Sequence, residues 1–175
     1  MKKTLIKKIE HVRLVIFDVD GVMTDGRIHY TDQGVEIKSF NVKDGHGIKL
    51  LMRAGIEAGI ITARQSKTVD VRARDLGITI VAQGRKDKLE AFEEIIKKQG
   101  IKPEEAAYVG DDVVDLPVLR RVGFSVAVSD AVDTVKAAVD YVTRKKGGNG
   151  AVREVVELIL KAQGKWDSVM ERYLR

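Results

Sequence analysis

Arg13-Leu-Val-Ile-Phe-Asp18-Val-Asp20-Gly21 decides how this chain is read. An apolar run without a polar break closes on two aspartates and a glycine. Alternation would mark a strand with one wet face. An unbroken run marks a strand buried on both faces, as in a parallel sheet. Successive strand side chains point to opposite faces, so Asp18 and Asp20 share a direction. The pair then sits at the carboxyl end of its strand, the edge where open α/β sheets bind ligands. Crowding two carboxylates raises one pKa unless a cation compensates. Oxygen-only ligands favour magnesium. Two aspartates in a turn or a helix cap fit the same short stretch, so other segments must decide.

Similar apolar runs recur at 56–62, 78–82, 106–110 and 124–128, with a short one near 141–142. Helical patterns lie between them at about 44–54, 66–76, 86–99, 112–122 and 132–139, and a last one covers 150–162. Strands alternating with helices predict a doubly wound, mainly parallel, Rossmann-like α/β sheet. Residues 27–40 break the alternation, with two β-rich stretches around Thr31-Asp-Gln-Gly34. That is a hairpin signal. Placed directly after the first strand, the hairpin becomes a flap beyond the binding edge. The spacing from Asp18 to Thr62 and from Thr62 to Lys88 is consumed by these elements, which leaves no room for a cap domain.

The 175 residues suit a single domain, 1–175, with 163–175 as a charged C-terminal tail. At 44% hydrophobic and 33% charged, the composition is globular. The absence of cysteine excludes disulfides and thiolate metal sites, and three scattered histidines do not suggest zinc. No secretory leader and no apolar run near membrane-spanning length are present. The expectation is a cytoplasmic protein with no membrane partner. The net charge of +5 comes in short clusters such as Arg85-Lys86 and Arg144-Lys145-Lys146. These suit an anionic partner or a plain solvated surface. No zinc-finger or aromatic RNA-binding signature accompanies them, so no nucleic-acid partner is expected.

Three further segments join the aspartate pair. The strand at 106–110 runs into Gly110-Asp111-Asp112-Val-Val-Asp115, at the same edge as Asp18. Asp111 can complete a cation site, while Asp112 and Asp115 can support it or cap the next helix. The second strand ends at Thr62, whose hydroxyl and neighbouring amides suit a phosphate oxygen. Lys88 begins a helix, where the dipole disfavours a cation unless an anion sits nearby. Each of these has an ordinary structural reading. No such reading accounts for all of them together on consecutive sheet-edge elements.

Asp18-Val-Asp-Gly-Val-Met-Thr24, Thr62, Lys88 and Gly110-Asp-Asp-Val-Val-Asp115 resemble the motifs of the haloacid dehalogenase superfamily of phosphohydrolases. Phe40-Asn-Val-Lys-Asp-Gly45, Ile61-Thr-Ala-Arg-Gln-Ser66 and Gly147-Gly-Asn-Gly-Ala-Val-Arg-Glu154 narrow it further. They resemble its 3-deoxy-D-manno-octulosonate 8-phosphate phosphatase branch, which serves lipopolysaccharide precursor synthesis. The resemblance runs from about residue 8 to the tail. Ala63 stands where many relatives have glycine.

The resemblance implies two-step phosphoryl transfer from a small anionic sugar phosphate. Asp18 is the implied nucleophile, and Asp20 gives a proton to the leaving sugar oxygen and later takes one from water. Thr62 and Lys88 hold phosphoryl oxygens. The implied magnesium shell is the Asp18 carboxylate, the Asp20 backbone carbonyl and Asp111. Implied substrate contacts are Asp20, Asn41, Val42, Lys43, Asp44, Gly45, Lys49, Arg64, Arg72 and Lys88. Homotetramerisation is implied as well, and it suits a capless site that needs a cover from elsewhere. Three other readings stay open: a nine-carbon sugar acid phosphate as substrate, a non-catalytic oligomerisation module, and a phospho-receiver domain. In a receiver, however, the phosphorylated aspartate follows the third strand.

Overall fold

A computed structural model describes residues 3–174. Met1, Lys2 and Arg175 lie outside the described residues, so the domain expectation for 1–175 and the tail expectation for 163–175 are followed only within those bounds. The run that opened the reading forms β1 (Leu14–Phe17), buried along its whole length. After it come a short antiparallel pair, β2 (His29–Tyr30) and β3 (Glu36–Ile37), and then α2 (Val42–Arg53). The strands β4 (Glu57–Ile61), β5 (Ile80–Ala82), β6 (Ala106–Gly110), β7 (Phe124–Ala127) and β8 (Tyr141–Val142) follow, with helices between. These helices are α3 (Lys67–Leu76), α4 (Lys88–Gln99), α5 (Leu116–Leu119) and α6 (Asp133–Lys136). The chain begins with α1 (Lys3–Glu10) and closes with α7 (Ala151–Ala162) and α8 (Trp166–Met170).

The main sheet has six strands in the order β5-β4-β1-β6-β7-β8. Every pairing within it is parallel. The chain winds outward on one side of β1 through β4 and β5, then returns to the other side with β6. β1 therefore lies at the topological switch point, where a crevice opens beyond the carboxyl ends. Asp18, Thr62 and Asp111 each follow a strand of the central trio β4-β1-β6 directly.

The core explains why these elements hold. Tyr108, Phe17, Phe92 and Phe124 are fully buried, each worth about 1.5–3 kcal/mol for an aromatic or large aliphatic side chain removed from water. On α7, Val152, Val155, Val156, Ile159 and Leu160 fall on one helical stripe and are buried. That stripe packs α7 against α2. Asn41 caps α2 by accepting from the amides of Lys43 and Asp44, and Asp87 caps α4 by accepting from Leu89 and Glu90.

Local differences from expectation have local causes. The helix expected over 112–122 is a 3₁₀ turn at Val113–Asp115 followed by the short α5, because Asp115 is drawn inward by hydrogen bonds. The 132–139 helix shortens to α6. The 27–40 hairpin pairs only His29 with Ile37 and Tyr30 with Glu36. The expected tail contains α8, whose Trp166 ring lies under Arg153 and Lys161. Beyond it Tyr173 packs edge-on to His46 and accepts a hydrogen bond from Arg53 at 2.5 Å, so the tail lies on its own α2.

Candidate active site

Asp18 leaves β1 and turns into the irregular segment Val19–Met23. Within it Gly21 has φ +95°, and a Cβ there would meet the Asp111 carboxylate at 2.1 Å. Only glycine lets the loop after β1 close on Asp111. A second close approach holds this loop from outside. A Cβ on Gly147 would lie 1.7 Å from the Gly21 carbonyl oxygen, and the Gly148 amide donates to the Val22 carbonyl at 2.9 Å. The Gly147–Glu154 segment therefore braces the aspartate loop. Glu154 completes the brace by accepting from the Arg144 and Lys145 amides and the Tyr141 hydroxyl.

Carboxylate oxygens of Asp18, Asp111 and Asp115 lie within 4.8 Å of one another. Their surroundings separate their roles. Asp115 is completely buried, and both its oxygens are occupied. Oδ1 accepts from Lys88 Nζ and the Tyr108 hydroxyl, each at 2.7 Å, and Oδ2 accepts from the amides of Asp111 and Asp112 at 2.9 and 3.2 Å. Four donors fill the accepting capacity of one carboxylate. Asp115 is an anchor, and Asp18 and Asp111 are the pair that face one another across the strand ends. Lys88, buried at the start of α4, reaches Asp18 at 2.9 Å as well as Asp115. Asp112 bonds its own turn, accepting from the Val113 amide.

One ammonium serves three acids here. Burial pushes Asp18 up to about 6, with Lys88 lowering it and Asp115 raising it. Burial, Asp18 and Asp115 together push Asp111 up to about 8. Burial alone would lower Lys88, but Asp18 and Asp115 outweigh it and raise its pKa. Burial also raises the Tyr108 phenol far above its ordinary range, so it stays a donor to Asp115. A hard divalent cation between Asp18 and Asp111 would relieve this excess of negative charge. The all-oxygen donor set fits magnesium.

Asp20 points elsewhere. Its Oδ1 accepts a hydrogen bond from Lys38, and its Oδ2 lies 3.7 Å from Arg64 Nε. Glu36 of β3 ties the same group together. It accepts from Arg64 at 2.6 Å and from Ser66 at 3.0 Å, and it lies 3.0 Å from Lys38. Burial would raise Glu36, but Arg64, Lys38 and Ser66 prevail and hold it at about 2. Tyr30 accepts from Arg64 at 3.0 Å. The flap is thereby fastened to the sheet edge through Asp20 and Arg64. Glu36, Lys38, Ser66 and Tyr30 were not singled out from the sequence. One signal was available: Glu36 and Lys38 share a strand face while Val35 and Ile37 take the other.

The remaining residues spread over two environments. Thr62 is buried, its amide bonded to the Ala82 carbonyl, and its hydroxyl oxygen accepts from the Arg64 amide at 3.4 Å, which keeps the hydroxyl proton for a ligand at the edge. Asn41 spends its side chain on the α2 cap, and its carbonyl accepts from Arg72 at 3.2 Å. Val42 and Lys43 are exposed. Val42, Gly45, Lys49 and Arg72 line a hollow of about 190 Å³ with His46 and Leu76. Asp44 is buried and turned from this hollow. It accepts from the amides of Gly150 and Arg153 at 3.1 and 2.8 Å, capping α7. The structure thus joins Asp18, Lys88, Asp111 and Asp115 directly and links Asp20 to Arg64. The Lys49–Arg72 hollow shares no lining residue with the acid cluster.

A haloacid dehalogenase-like hydrolase family model matches residues 77–155. Over 163 residues the chain is 52% identical to 3-deoxy-D-manno-octulosonate 8-phosphate phosphatase KdsC of Escherichia coli K12, spanning 93% of this chain and 87% of that one. The chain belongs to this phosphatase family. Solved members superpose closely. The Yersinia pestis 3-deoxy-D-manno-octulosonate 8-phosphate phosphatase matches with TM-score 0.94 and 48% identity over 95% of this chain and 90% of that one. The Moraxella catarrhalis phosphatase, crystallised with magnesium, phosphate and a KDO molecule, gives TM-score 0.96 and 44% identity, covering 99% of both chains. Family membership agrees with a capless doubly wound domain and with an acid cluster at its switch point.

Proposed function

We propose that this chain is a magnesium-dependent phosphatase that hydrolyses 3-deoxy-D-manno-octulosonate 8-phosphate to the free sugar acid and phosphate. The observation that carries this reading is the constellation of buried Asp18 and Lys88 with half-buried Asp111 at the switch point of a chain 52% identical to a phosphatase of that substrate. The side chain of Asp18 is the nucleophile, and Lys88 both orients it and offers positive charge to a phosphoryl oxygen. The Thr62 hydroxyl takes another phosphoryl oxygen. Asp20 protonates the leaving sugar oxygen, and its carboxylate then takes a proton from the water that hydrolyses the aspartyl phosphate. Magnesium, when held by the Asp18 and Asp111 carboxylates with the Asp20 backbone carbonyl, supplies charge that screens nucleophile from phosphate. Arg64, Arg72, Lys43 and Lys49 are the cations suited to the substrate carboxylate, with Asn41, Val42 and Gly45 shaping the wall around them, and Asp44 braces that wall from behind by capping α7.

The working form is a homotetramer in the cytoplasm. Among the described residues no helix is long and apolar enough to cross a membrane. The assembly is supported by the flap, which leaves four apolar side chains exposed, Val35 and Ile37 on the face opposite Glu36 and Lys38, and Ile28 and Tyr30 beside them. Ile28, Tyr30, Val35 and Ile37 are 46%, 58%, 59% and 50% exposed. A two-stranded ribbon of this length is marginal alone, so these exposed apolar side chains call for a covering surface. A neighbouring flap supplies it and closes a site that lacks a cap.

Phosphate release from eight- and nine-carbon 2-keto-3-deoxy sugar acid phosphates and from simple sugar phosphates tests the substrate. The highest kcat/KM is expected for the eight-carbon compound. Preference for the nine-carbon compound would replace the substrate, and no release from any would remove the enzymatic reading.

A further inference from the structure

Asp20 lies in an irregular turn and not in a strand, so the sheet does not fix its side chain. Both of its oxygens nevertheless face cations: Oδ1 accepts a hydrogen bond from Lys38, and Oδ2 lies 3.7 Å from Arg64 Nε, too far for a hydrogen bond. Lys38 is a deliberate placement by its burial. Its side chain is 2% exposed although it belongs to a flap whose other face is open to solvent. A buried ammonium is costly unless paired, and its partners are Asp20 and Glu36. Glu36 is braced in turn by Arg64 and Ser66, so the lysine is fixed from behind. The same contacts draw the Asp20 carboxylate toward the flap and leave Asp18, Asp111 and Asp115 as the clustered acids.

We propose that Lys38 is a positioning residue for Asp20: it orients the carboxyl group for proton transfer and keeps it out of the metal-binding pair. This rests on the phosphatase reading above and deepens it. In the first step an Asp18 oxygen bonds to phosphorus and the bond from phosphorus to the sugar oxygen breaks. The electron pair stays on that oxygen, which takes the Asp20 proton. An alkoxide leaving group needs that proton. A 4-nitrophenolate does not. kcat/KM reports on this first step when phosphoryl transfer to the enzyme is irreversible. A residue that acts through Asp20 must therefore matter for a sugar phosphate and hardly at all for 4-nitrophenyl phosphate.

The experiment compares wild type, Lys38→Met and Asp20→Asn on 3-deoxy-D-manno-octulosonate 8-phosphate and on 4-nitrophenyl phosphate with saturating magnesium. Lys38→Met is expected to lower kcat/KM on the sugar phosphate by about 10–100-fold, part of the roughly 10²–10⁴-fold that general acid–base catalysis supplies. On the aryl phosphate the loss is expected to stay within about threefold. Lys38→Met added to Asp20→Asn should bring no further selective loss. An equal loss on both substrates reduces Lys38 to a brace for the flap and overturns the inference, as does wild-type behaviour on both. If Lys38→Met does not fold, Lys38→Gln is read by the same ratio. A wild-type chain that hydrolyses neither substrate brings down the phosphatase reading itself, and this inference with it.

Discussion

Asp18 and Asp111 are pushed in the same direction by burial, to about 6 and about 8, and the single ammonium of Lys88 is shared with Asp115. The linkage has a definite sign. Asp111 moves from an ordinary 3.8 to about 8, so the metal-free fold is favoured most while the group is protonated. That stability is fully present below about pH 4 and is lost as pH rises through about 8. With Asp18 and Asp111 as the proposed ligands, magnesium requires the ionised pair and so competes with protons. The rise in Tm on adding magnesium to chelator-treated protein should therefore grow between about pH 6 and about pH 9. An increment independent of pH would mean that Asp111 is not a ligand. At the same scale, Asp18→Asn should cost about 10⁴-fold or more in phosphate release while the chain stays folded, since it removes the proposed nucleophile. Asp20→Asn should cost about 10²–10⁴-fold on the sugar phosphate. Lys88→Met differs in kind, because it strands two buried carboxylates. Urea denaturation at neutral pH should show a loss of about 3–5 kcal/mol.

The elements around the site are held in part by residues that the family resemblance implies as substrate contacts. Asp44 is the clearest case. Its carboxylate caps α7 by accepting from Gly150 and Arg153, and α7 packs on the helix that carries Asp44. Asp44→Ala should lower unfolding free energy by about 1–2 kcal/mol through the lost cap. Measured at a temperature where the variant is folded, KM for the sugar phosphate should change little. A large rise in KM with unchanged stability would make Asp44 a ligand-binding group instead. The Gly147–Glu154 segment works similarly. In the sequence it only narrows the resemblance, and in the fold its contacts run to the Val19–Met23 turn and to Tyr141, Arg144 and Lys145.

At the scale of the whole molecule the flap sets the question of assembly. Glu36 and Lys38 on one face are satisfied inward, while Val35 and Ile37 on the opposite face stay exposed. Sedimentation should find a four-chain species, and Ile37→Asp should shift it to smaller species by placing a charge in the contact. Activity on the sugar phosphate should fall with the assembly, because a site without a cap depends on a neighbouring surface to exclude water. A fully active monomer would refute this arrangement.

Buried parallel strands, their order in the chain and the carboxylates at their ends were legible in the sequence. Apolar runs without alternation have one stable use in a domain of this size, and carboxylates cannot lie inside such runs. Asp18, Thr62, Lys88 and Asp111 were accordingly readable as one edge before any coordinates. The division of labour among the acids was not. Asp111, Asp112 and Asp115 look alike in a string of residues, and only folding decides that Asp115 receives four donors while Asp111 is left to face Asp18. Lys38 and Glu36 were hidden for a related reason. Their roles depend on how the flap folds back over Asp20 and Arg64, a contact between segments far apart in the chain. Local pattern reports which faces are apolar. It cannot report which polar group from a distant segment will satisfy a buried charge, because that choice is made by the packing that brings the segments together.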